Sequence, residues 1–288
     1  MSELIGTAPA APVGLYGCMK KTRSGRIKTA AHSRRSTVVR VTIVVLLTLT
    51  VYGLLTFNYK SIDLSDAVAN TLSNAKLMLR RPRLKYNSVQ GVLKALLMTF
   101  SLGVLSTVFG VIIAVFGALL CAENIANPKV ALVVKSFVAF FRAVPTILWV
   151  LIFTVAAGLG SVAAVLGLTL HSAGYLIKAY AEAIEEIDAG TIEALRAGGA
   201  GYWQIIFQAV LPSSLSYMIA WTFLRFEINF TNAIAVGAAA GAGGIGFDLF
   251  MAGSFYFDLR ELGILTYIIV AVVILLELAA TQIKARVK

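Results

Sequence analysis

Long apolar runs, separated by short polar segments, dominate this 288-residue chain. An α-helix needs about 20 apolar residues to cross a bilayer, and most of these runs approach or exceed that length. A transmembrane β-barrel would instead show short segments of alternating hydrophobicity. The pattern therefore predicts an all-α, polytopic transmembrane bundle of about six spans, at residues 38–57, 91–121, 145–159, 162–181, 213–238 and 264–281.

The polar segments divide the chain into predicted regions. These are a basic tail (1–37), a first span with its connection (38–90), a main transmembrane domain (91–282) that contains a polar loop (182–212), and a second tail (283–288). Several details are expected within them. An amphipathic helix is predicted near 64–79, a connection at 122–143, a break of the fourth span at His171 and Ser172, and an outer connection at 240–263. In the second span, small residues suit close helix contact: Gly103, Ser106, Gly110 and Gly117.

Charge predicts the orientation. Seven basic residues precede the first span and place the N-terminus in the cytoplasm: Lys20, Lys21, Arg23, Arg26, Lys28, Arg34 and Arg35. Six spans then return the C-terminus to the same side. The connection at 58–90 also carries six basic residues, which opposes this topology. Either the stronger N-terminal cluster decides the orientation, which we favour, or the first span does not cross.

Composition supports the membrane assignment, since only 14% of residues are charged and 59% are hydrophobic. Soluble proteins are about 25% charged. A net charge of +11 would suggest nucleic acid in a soluble protein, but the basic residues lie mostly in two flanking segments. Membrane lipid is therefore the predicted partner, and nucleic acid is not. Cys18 and Cys121 are isolated, which predicts neither a disulfide framework nor a metal site.

The polar loop is the most informative stretch, reading IEALRAGGAGYWQIIFQAVLP at 192–212. It predicts an amphipathic helical turn, a glycine break at Gly198, Gly199 and Gly201, and a second short helix stopped by Pro212. Glycines there allow another backbone to approach closely and permit positive φ. Pro212 has no N–H to donate, so a helix tends to end before it or to start afresh at it. The loop is either a docking element or an amphipathic helix that only anchors the bundle at the interface.

This loop resembles a cytoplasmic signature, E-A-A-x3-G-x9-I-x-L-P, of permease subunits of bacterial ABC importers. The matching residues are Glu193, Ala194, Gly199, Leu211 and Pro212. Leu195 and Ala209 replace the second alanine and the isoleucine, and both replacements are apolar. The resemblance covers roughly residues 91–282 and implies the fold of a type I ABC importer permease. It also implies that the 193–212 segment couples the bundle to ATPase subunits.

Charges inside the fifth span are candidates for a translocation pathway. Arg225 and Glu227 lie in FLRFEINF, two positions apart, so they point to different sides of a helix. Each charge is either neutralised by a neighbouring helix or faces the pathway. Glu227 and Asn229, followed by a glycine turn, resemble phosphonate-transport permeases. Thr231 stands where that subfamily has a basic residue, and Arg225 is the candidate substitute.

The glycine turn after the fifth span formally matches a dinucleotide fingerprint, but no strand precedes it. The resemblance implies instead a gate facing a binding protein, formed by Gly241, Gly243, Gly244 and Gly246. No P-loop motif and no nucleophile–base set is present in the sequence, and the lone histidines His32 and His171 read as solvated or interhelical. We therefore predict no catalytic residue, no metal and no cofactor in this chain.

The resemblance implies a complex in the inner membrane. Two copies of the permease would form the pathway, two ATP-binding subunits would hold ATP and Mg²⁺ in the cytoplasm, and an extracytoplasmic binding protein would deliver the substrate. The favoured cargo is phosphonate or a related phosphorus oxyanion, and the alternative is another small solute, such as the amino acid methionine. Two other classes are an ion-coupled secondary transporter, which usually has paired broken helices, and a membrane scaffold without transport.

Overall fold

The computed structural model describes residues 34–56 and 63–287, and within these ranges the chain is helical without strands. The predicted all-α bundle is confirmed. Its helices are α1 (Arg34–Thr56), α2 (Leu64–Arg80), α3 (Val89–Cys121), α4 (Pro128–Ala143), α5 (Thr146–Ala157), α6 (Ser161–Glu185), α7 (Ala189–Ala197), α8 (Tyr202–Ile205), α9 (Leu211–Ala239), α10 (Gly244–Phe250) and α11 (Leu259–Val287).

The chain divides into two units, Met1–Ala67 and Val68–Lys288. In the first unit, α1 is a 23-residue apolar helix that is long enough to cross a membrane. Most of the predicted basic tail, together with Cys18 and His32, lies outside the described residues. The helix predicted near 64–79 corresponds to α2.

The core of the second unit is formed by α3, α6 and α9, which pack against one another along their lengths. Small residues of α3 permit this contact, as expected from the sequence. A Cβ on Gly110 would lie 2.9 Å from the Cβ of Ser172, and a Cβ on Gly103 would lie 3.2 Å from the backbone of Phe230. Without an apolar driving force between helices in lipid, such close backbone approach provides the packing energy.

The predicted third span differs from the structure. Residues 122–143 are not a plain connection, because α4 occupies most of them. Helix α5 has only 12 residues, too few to cross a bilayer alone. It meets α4 at an angle of 88° across a break at 144–145, where Pro145 caps α5. Five helices of the described chain are long and apolar enough to span a membrane, or six if this bent pair counts as one.

Two predicted breaks are wrong. Helix α6 runs without interruption through His171 and Ser172, because the Ser172 hydroxyl bonds the Leu168 carbonyl one turn back, at 2.6 Å. Pro212 also does not stop the preceding helical turn, but α9 starts at it, which is the other outcome expected of this proline. A π-helical turn at Ile206–Val210 precedes it, and the Leu211 N–H donates to the Ile206 carbonyl five residues back. Pro212 then occupies the first turn of α9, where its missing N–H costs least.

The segment predicted as an outer connection, 240–263, contains two further helical pieces. These are α10, extended by a π-helical turn at Met251–Phe255, and the first residues of α11. Helix α11 begins five residues earlier than predicted and therefore includes Glu261. This early start places Glu261, one of two buried charged residues in the described part of the unit, on a helix.

Candidate functional site

A relay of polar side chains crosses the centre of the bundle. The Ser172 hydroxyl lies 2.9 Å from Asn229 Oδ1, Asn229 Nδ2 donates to Thr107 Oγ1 at 2.9 Å, and that hydroxyl donates to the Gly103 carbonyl at 2.7 Å. Helices α6, α9 and α3 each contribute. All three side chains are buried. The predicted pathway residue Asn229 is thus part of an interhelical network.

Arg225 lies at one end of this relay, one turn before Asn229 on α9. Its side chain is only 2% exposed, and its Nε donates to the Ser172 hydroxyl at 3.0 Å. Its buried Nη2 atom has no hydrogen-bond partner among the described residues. The ion pairs found in the same residues include neither Arg225 nor Glu227. This buried guanidinium therefore has a hydrogen-bond partner at Nε and none at Nη2 among the described residues.

Aromatic and basic side chains surround Arg225. Its guanidinium carbon lies 5.3 Å from the ring centroid of Tyr175, and that of Arg142, on α4, lies 5.7 Å from the same centroid. Such distances allow cation–π attraction. His171, one turn before Tyr175, lies within electrostatic range of both arginines. We call Arg142, His171, Tyr175 and Arg225 the arginine cluster.

Glu227 lies apart from this cluster. It is half-buried, and its position two residues from Arg225 turns it away from the face that Arg225 and Asn229 share. The predicted divergence of the two charges therefore holds. Sequence reasoning named Arg225, Glu227 and Asn229, but only Arg225 and Asn229 belong to one network.

The 182–212 loop forms a helix–turn–helix at one end of the bundle. The Asp188 carboxylate caps α7 by accepting the Thr191 N–H at 3.0 Å. After Ala197 the chain reverses at Gly199, which has φ +83° and therefore needs glycine. Beyond the turn, α8 starts where Gln204 Oε1 accepts the Gly201 N–H at 2.7 Å. The predicted glycine break between two short helices is present.

Contacts with the α3–α4 turn hold this loop in place. The Arg196 side chain donates to the Asn124 carbonyl at 3.3 Å, and the Asn124 amide donates to the Ile184 carbonyl at 2.7 Å. The Glu185 carboxylate accepts both the Glu123 N–H and the Lys135 ammonium, at 2.9 and 3.0 Å. Ile192 is buried in the apolar core below. The loop is thus a fixed surface of the bundle.

The exposed side of the loop carries the residues of the predicted motif. Glu193, Ala194 and Gly199 are exposed, beside a shallow depression of about 330 Å³ that includes Gln204. Exposed aromatic rings continue this surface, since Trp203 stacks with Phe207. Leu211 is half-buried and Pro212 exposed, after the π-helical turn. The arrangement exposes the Glu193 carboxylate and an apolar ridge to a partner.

The glycine turn at the other end of the bundle is tightly packed. Gly241, Gly243 and Gly244 have positive φ. A Cβ on Gly244 would collide with Thr99 of α3, and one on Gly246 would collide with the Ile234 carbonyl of α9. The Ile245 N–H also donates to Thr99 Oγ1 at 3.0 Å. Gly243, Gly244 and Gly246 therefore form a close junction of α3, α9 and α10, whereas a Cβ on Gly241 would make only ordinary contact with Leu159, at 3.8 Å.

Sequence reasoning missed several residues of these sites. Glu261 was assigned to a connection, yet it is fully buried and accepts the backbone N–H groups of residues 85–87. Arg142 and Tyr175 were not linked to Arg225. The available signal was the polar pair His171 and Tyr175, four residues apart on one face of an apolar helix. In the described residues no group of three or more metal-ligating side chains occurs.

The chain is similar to one known protein family and to several permease proteins. Residues 108–287 match the family model of the binding-protein-dependent transport system inner membrane component. Phosphate-import permease protein PhnE of Mycolicibacterium smegmatis is 32% identical over 190 residues, which cover 65% of this chain and 35% of that protein. Phosphite transport system permease protein PtxC of Stutzerimonas stutzeri is 33% identical over 193 residues, covering 67% and 70%. The D-methionine permease MetI of Escherichia coli is 35% identical over 141 residues, covering 46% and 64%.

Solved structures show the same fold. The inward-facing MetNI methionine ABC transporter aligns with a TM-score of 0.59 and 29% identity, over 69% of this chain and 95% of that one. A bacterial ABC transporter that imports alginate aligns with a TM-score of 0.59 over 88% of this chain and 99% of that one; its identity is 15%, so this likeness shows the fold alone.

Proposed function

This chain belongs to the family of binding-protein-dependent transport system inner membrane components, as an ABC importer permease similar to phosphonate permeases, and we propose that it imports phosphonate or a related phosphorus oxyanion. The 193–212 segment couples the bundle to ATPase subunits. The pathway residues are Arg225, Glu227 and Asn229.

One observation carries the coupling proposal. The 189–205 helix–turn–helix presents Glu193, Ala194 and Gly199 on its exposed side, while Ile192 and Arg196 tie its other side to the bundle. Because this element is held firmly against the bundle, a force applied to its exposed side by a partner is transmitted to the helices that it joins. Helix α6 ends and α9 begins at this element, and both carry the polar relay. Movement of the loop would therefore reach the pathway directly.

The partners follow from the same family. We propose two permease copies around the pathway, with two ATPase subunits docked on the 193–212 segment and holding ATP and Mg²⁺. A binding protein docks at the opposite end, near Gly241, Gly243, Gly244 and Gly246. The chain itself carries out no catalytic step.

Orientation is part of the proposal. The loop lies in the cytoplasm, and both termini lie on the same side of the inner membrane. Cysteines introduced at positions 200 and 288 should be protected from an impermeant thiol reagent in intact cells, and one at position 85 should be labelled. Labelling of position 200 from outside contradicts the docking of an ATPase on this loop.

A second cargo has a specific observation in its favour. The D-methionine permease MetI is 35% identical over the part that aligns, so an amino acid is the alternative substrate. The buried, unpaired Arg225 favours an anion over a zwitterion, because a zwitterion brings a second, positive charge to the same place.

The test is uptake by proteoliposomes that contain the chain with its co-purifying ATPase and binding-protein subunits. Labelled phosphite, phosphate, methylphosphonate and D-methionine are supplied with ATP or with an ion gradient alone. We expect ATP-driven uptake of a phosphorus oxyanion and none of methionine. Uptake driven by an ion gradient without ATPase subunits would instead identify a secondary carrier. No uptake at all by a complete complex would favour a scaffold.

A further inference from the structure

We propose that Arg142, Tyr175 and Arg225 form a binding site for a tetrahedral oxyanion inside the membrane domain. This inference rests on the proposed import function and deepens it, because it assigns Arg142 and Tyr175 to the cargo. Neither residue belongs to the sequence motifs that led to the family.

The first argument is an unsatisfied donor. Arg225 is 2% exposed, and its Nη2 has no hydrogen-bond partner in the part of the chain that the structure describes. A buried guanidinium is costly unless each N–H finds an acceptor and a negative charge lies close by. Ser172 supplies a neutral acceptor for Nε only. An anion with several oxygens would supply both missing elements.

The second argument is the accumulation of positive charge. Arg142 lies over the same Tyr175 ring as Arg225. The ion pairs of the described residues join Lys135 to Glu123 and Glu185, and Lys178 to Glu182, so no carboxylate pairs with either arginine. The neighbouring His171 adds no negative charge, and its own buried Nδ1 lacks a partner among those residues. Two guanidinium groups that share one ring and no counter-ion are suited to a divalent anion.

The third argument is chemical fit. A guanidinium presents N–H donors in a planar fork that matches two oxygens of a phosphorus oxyanion. Two such forks can hold three or four oxygens of a tetrahedral group. The Tyr175 ring lies within cation–π range of each guanidinium and can stabilise both cations when the anion is absent. A carboxylate with two oxygens would satisfy only one fork.

The fourth argument is access. Arg225 is buried, but Arg142, His171 and Tyr175 are only half-buried, so the arginine cluster opens from the core towards the surface of the chain. Arg142 also lines a cavity of about 330 Å³ that continues along α4 and α6 past Lys135 and Lys178 to Glu185, beside the 182–212 loop. Its lining holds three basic and two acidic side chains, and Lys135 and Lys178 pair with Glu185 and Glu182. Arg142 is therefore the lining charge without an ion-pair partner among the described residues, and it lies where the cavity meets the cluster.

The experiment measures anion binding by the purified complex of permease and ATPase subunits, without the binding protein. Inorganic phosphite, phosphate and methylphosphonate are titrated calorimetrically, with D-methionine as the comparison ligand. We expect saturable binding of at least one phosphorus oxyanion. Arg142→Gln and Arg225→Gln should each weaken it at least tenfold. Tyr175→Leu, which removes the ring that lies near both guanidinium groups, should bind more weakly.

Lys129→Gln is the matched control, because it removes one positive charge from α4 at an exposed position away from the cluster. If Arg225→Gln does not assemble, Arg142→Gln and Tyr175→Leu still decide the question, since both residues are half-buried. Equal binding by Arg142→Gln and Lys129→Gln overturns the site, and so does a complex that binds none of the oxyanions. Failure of import is a separate result: a complex that transports phosphorus oxyanions while Arg142→Gln keeps full affinity leaves the proposed function standing.

Discussion

Two buried charges in this chain have opposite surroundings. The Glu261 carboxylate at the start of α11 accepts the backbone N–H groups of Lys85, Tyr86 and Asn87 at 3.3, 2.9 and 2.9 Å. We call this contact the carboxylate clamp. Arg225 in α9 bonds one hydroxyl and leaves Nη2 without a partner among the described residues. Both side chains are almost completely buried.

The difference separates a structural role from a binding role. A carboxylate that accepts three backbone N–H groups fixes the segment that donates to it. The clamp thereby joins the segment before α3 to α11, where Tyr86 also stacks on Tyr256 at 4.1 Å. A guanidinium with an unsatisfied N–H gains when a ligand arrives. Completeness of hydrogen bonding, rather than burial, therefore distinguishes the two sites.

The largest expected effect is that of Glu261→Ala. It leaves three backbone N–H groups without their acceptor, and each buried donor that loses its partner costs about 1–3 kcal/mol. We expect loss of most of the folded complex, measured by unfolding of the purified chain in mixed micelles. Glu277→Gln, at an exposed position of the same helix, should unfold like the unsubstituted chain. Equal stability of the two variants would show that the carboxylate clamp does not stabilise the fold, and the contrast with the arginine cluster would fail.

Two glycines also differ in their surroundings: Gly263 is tightly packed, whereas Gly199 has open space around it. A Cβ on Gly263 would collide with the Met78 carbonyl next to the clamp, whereas one on Gly199 would meet no atom of the described chain within 4 Å. Gly199→Val should therefore act only through its φ of +83°, which costs a β-branched residue about 1–2 kcal/mol. The bundle should stay folded, but the loop should change shape. We expect weak ATPase retention, or hydrolysis that loaded binding protein no longer stimulates.

Gly198→Ala is the control for Gly199→Val. Gly198 has φ −75°, and a Cβ there would lie 3.5 Å from the nearest carbonyls, which is ordinary contact. This variant should retain the ATPase and its stimulation. If Gly199→Val also keeps full stimulated turnover, the 193–212 segment is not the coupling element.

The sequence predicted the parts of this fold that depend on local pattern. Apolar runs located α3, α6, α9 and α11 to within about six residues, and the glycines at 198–201 predicted the break between α7 and α8. Local rules failed where a neighbour compensates for them. Pro212 does not end a helix because the preceding π-helical turn changes the hydrogen-bond register before the missing donor. Ser172 does not break α6 because its hydroxyl donates a hydrogen bond to the Leu168 carbonyl of the same helix.

The candidate sites were only partly predictable for the same reason. Arg225 and Asn229 stand out because charged and amide groups are rare inside an apolar span. Their partners Thr107, Ser172 and Tyr175 come from other helices, and no spacing in the chain links them. Glu261 follows a polar segment and looks like an ordinary helix-end carboxylate. Only the packing of α11 against the segment before α3 reveals that it is buried.

Arg225→Met tests whether Arg225, unlike Glu261, has a binding role rather than a structural one. Replacement of an incompletely paired buried charge by an apolar side chain of similar volume is often neutral or stabilising. We expect the free energy of unfolding to stay within about 1 kcal/mol of the unsubstituted value, while uptake of the phosphorus oxyanion is lost. Unfolding and uptake are measured on the same preparation. A loss of stability comparable to that of Glu261→Ala would show that Arg225 is structural.

Glu227→Gln should have the smallest effect on stability. Glu227 is half-buried, and no ion pair of the described residues includes it. It also lies off the face that Arg225 and Asn229 turn towards α6 and α3. Removal of its charge therefore leaves no buried donor unsatisfied, and the change in the free energy of unfolding should stay within about 0.5 kcal/mol. Transport should fall more, because a carboxylate at membrane depth is retained for a pathway more often than for packing. The measurement is uptake normalised to the amount of recovered complex, with Thr231→Val as the neighbouring control.

If recovery of the complex falls in proportion to uptake, Glu227 stabilises assembly. Its role is then structural, like that of Glu261, and it does not belong to the translocation pathway.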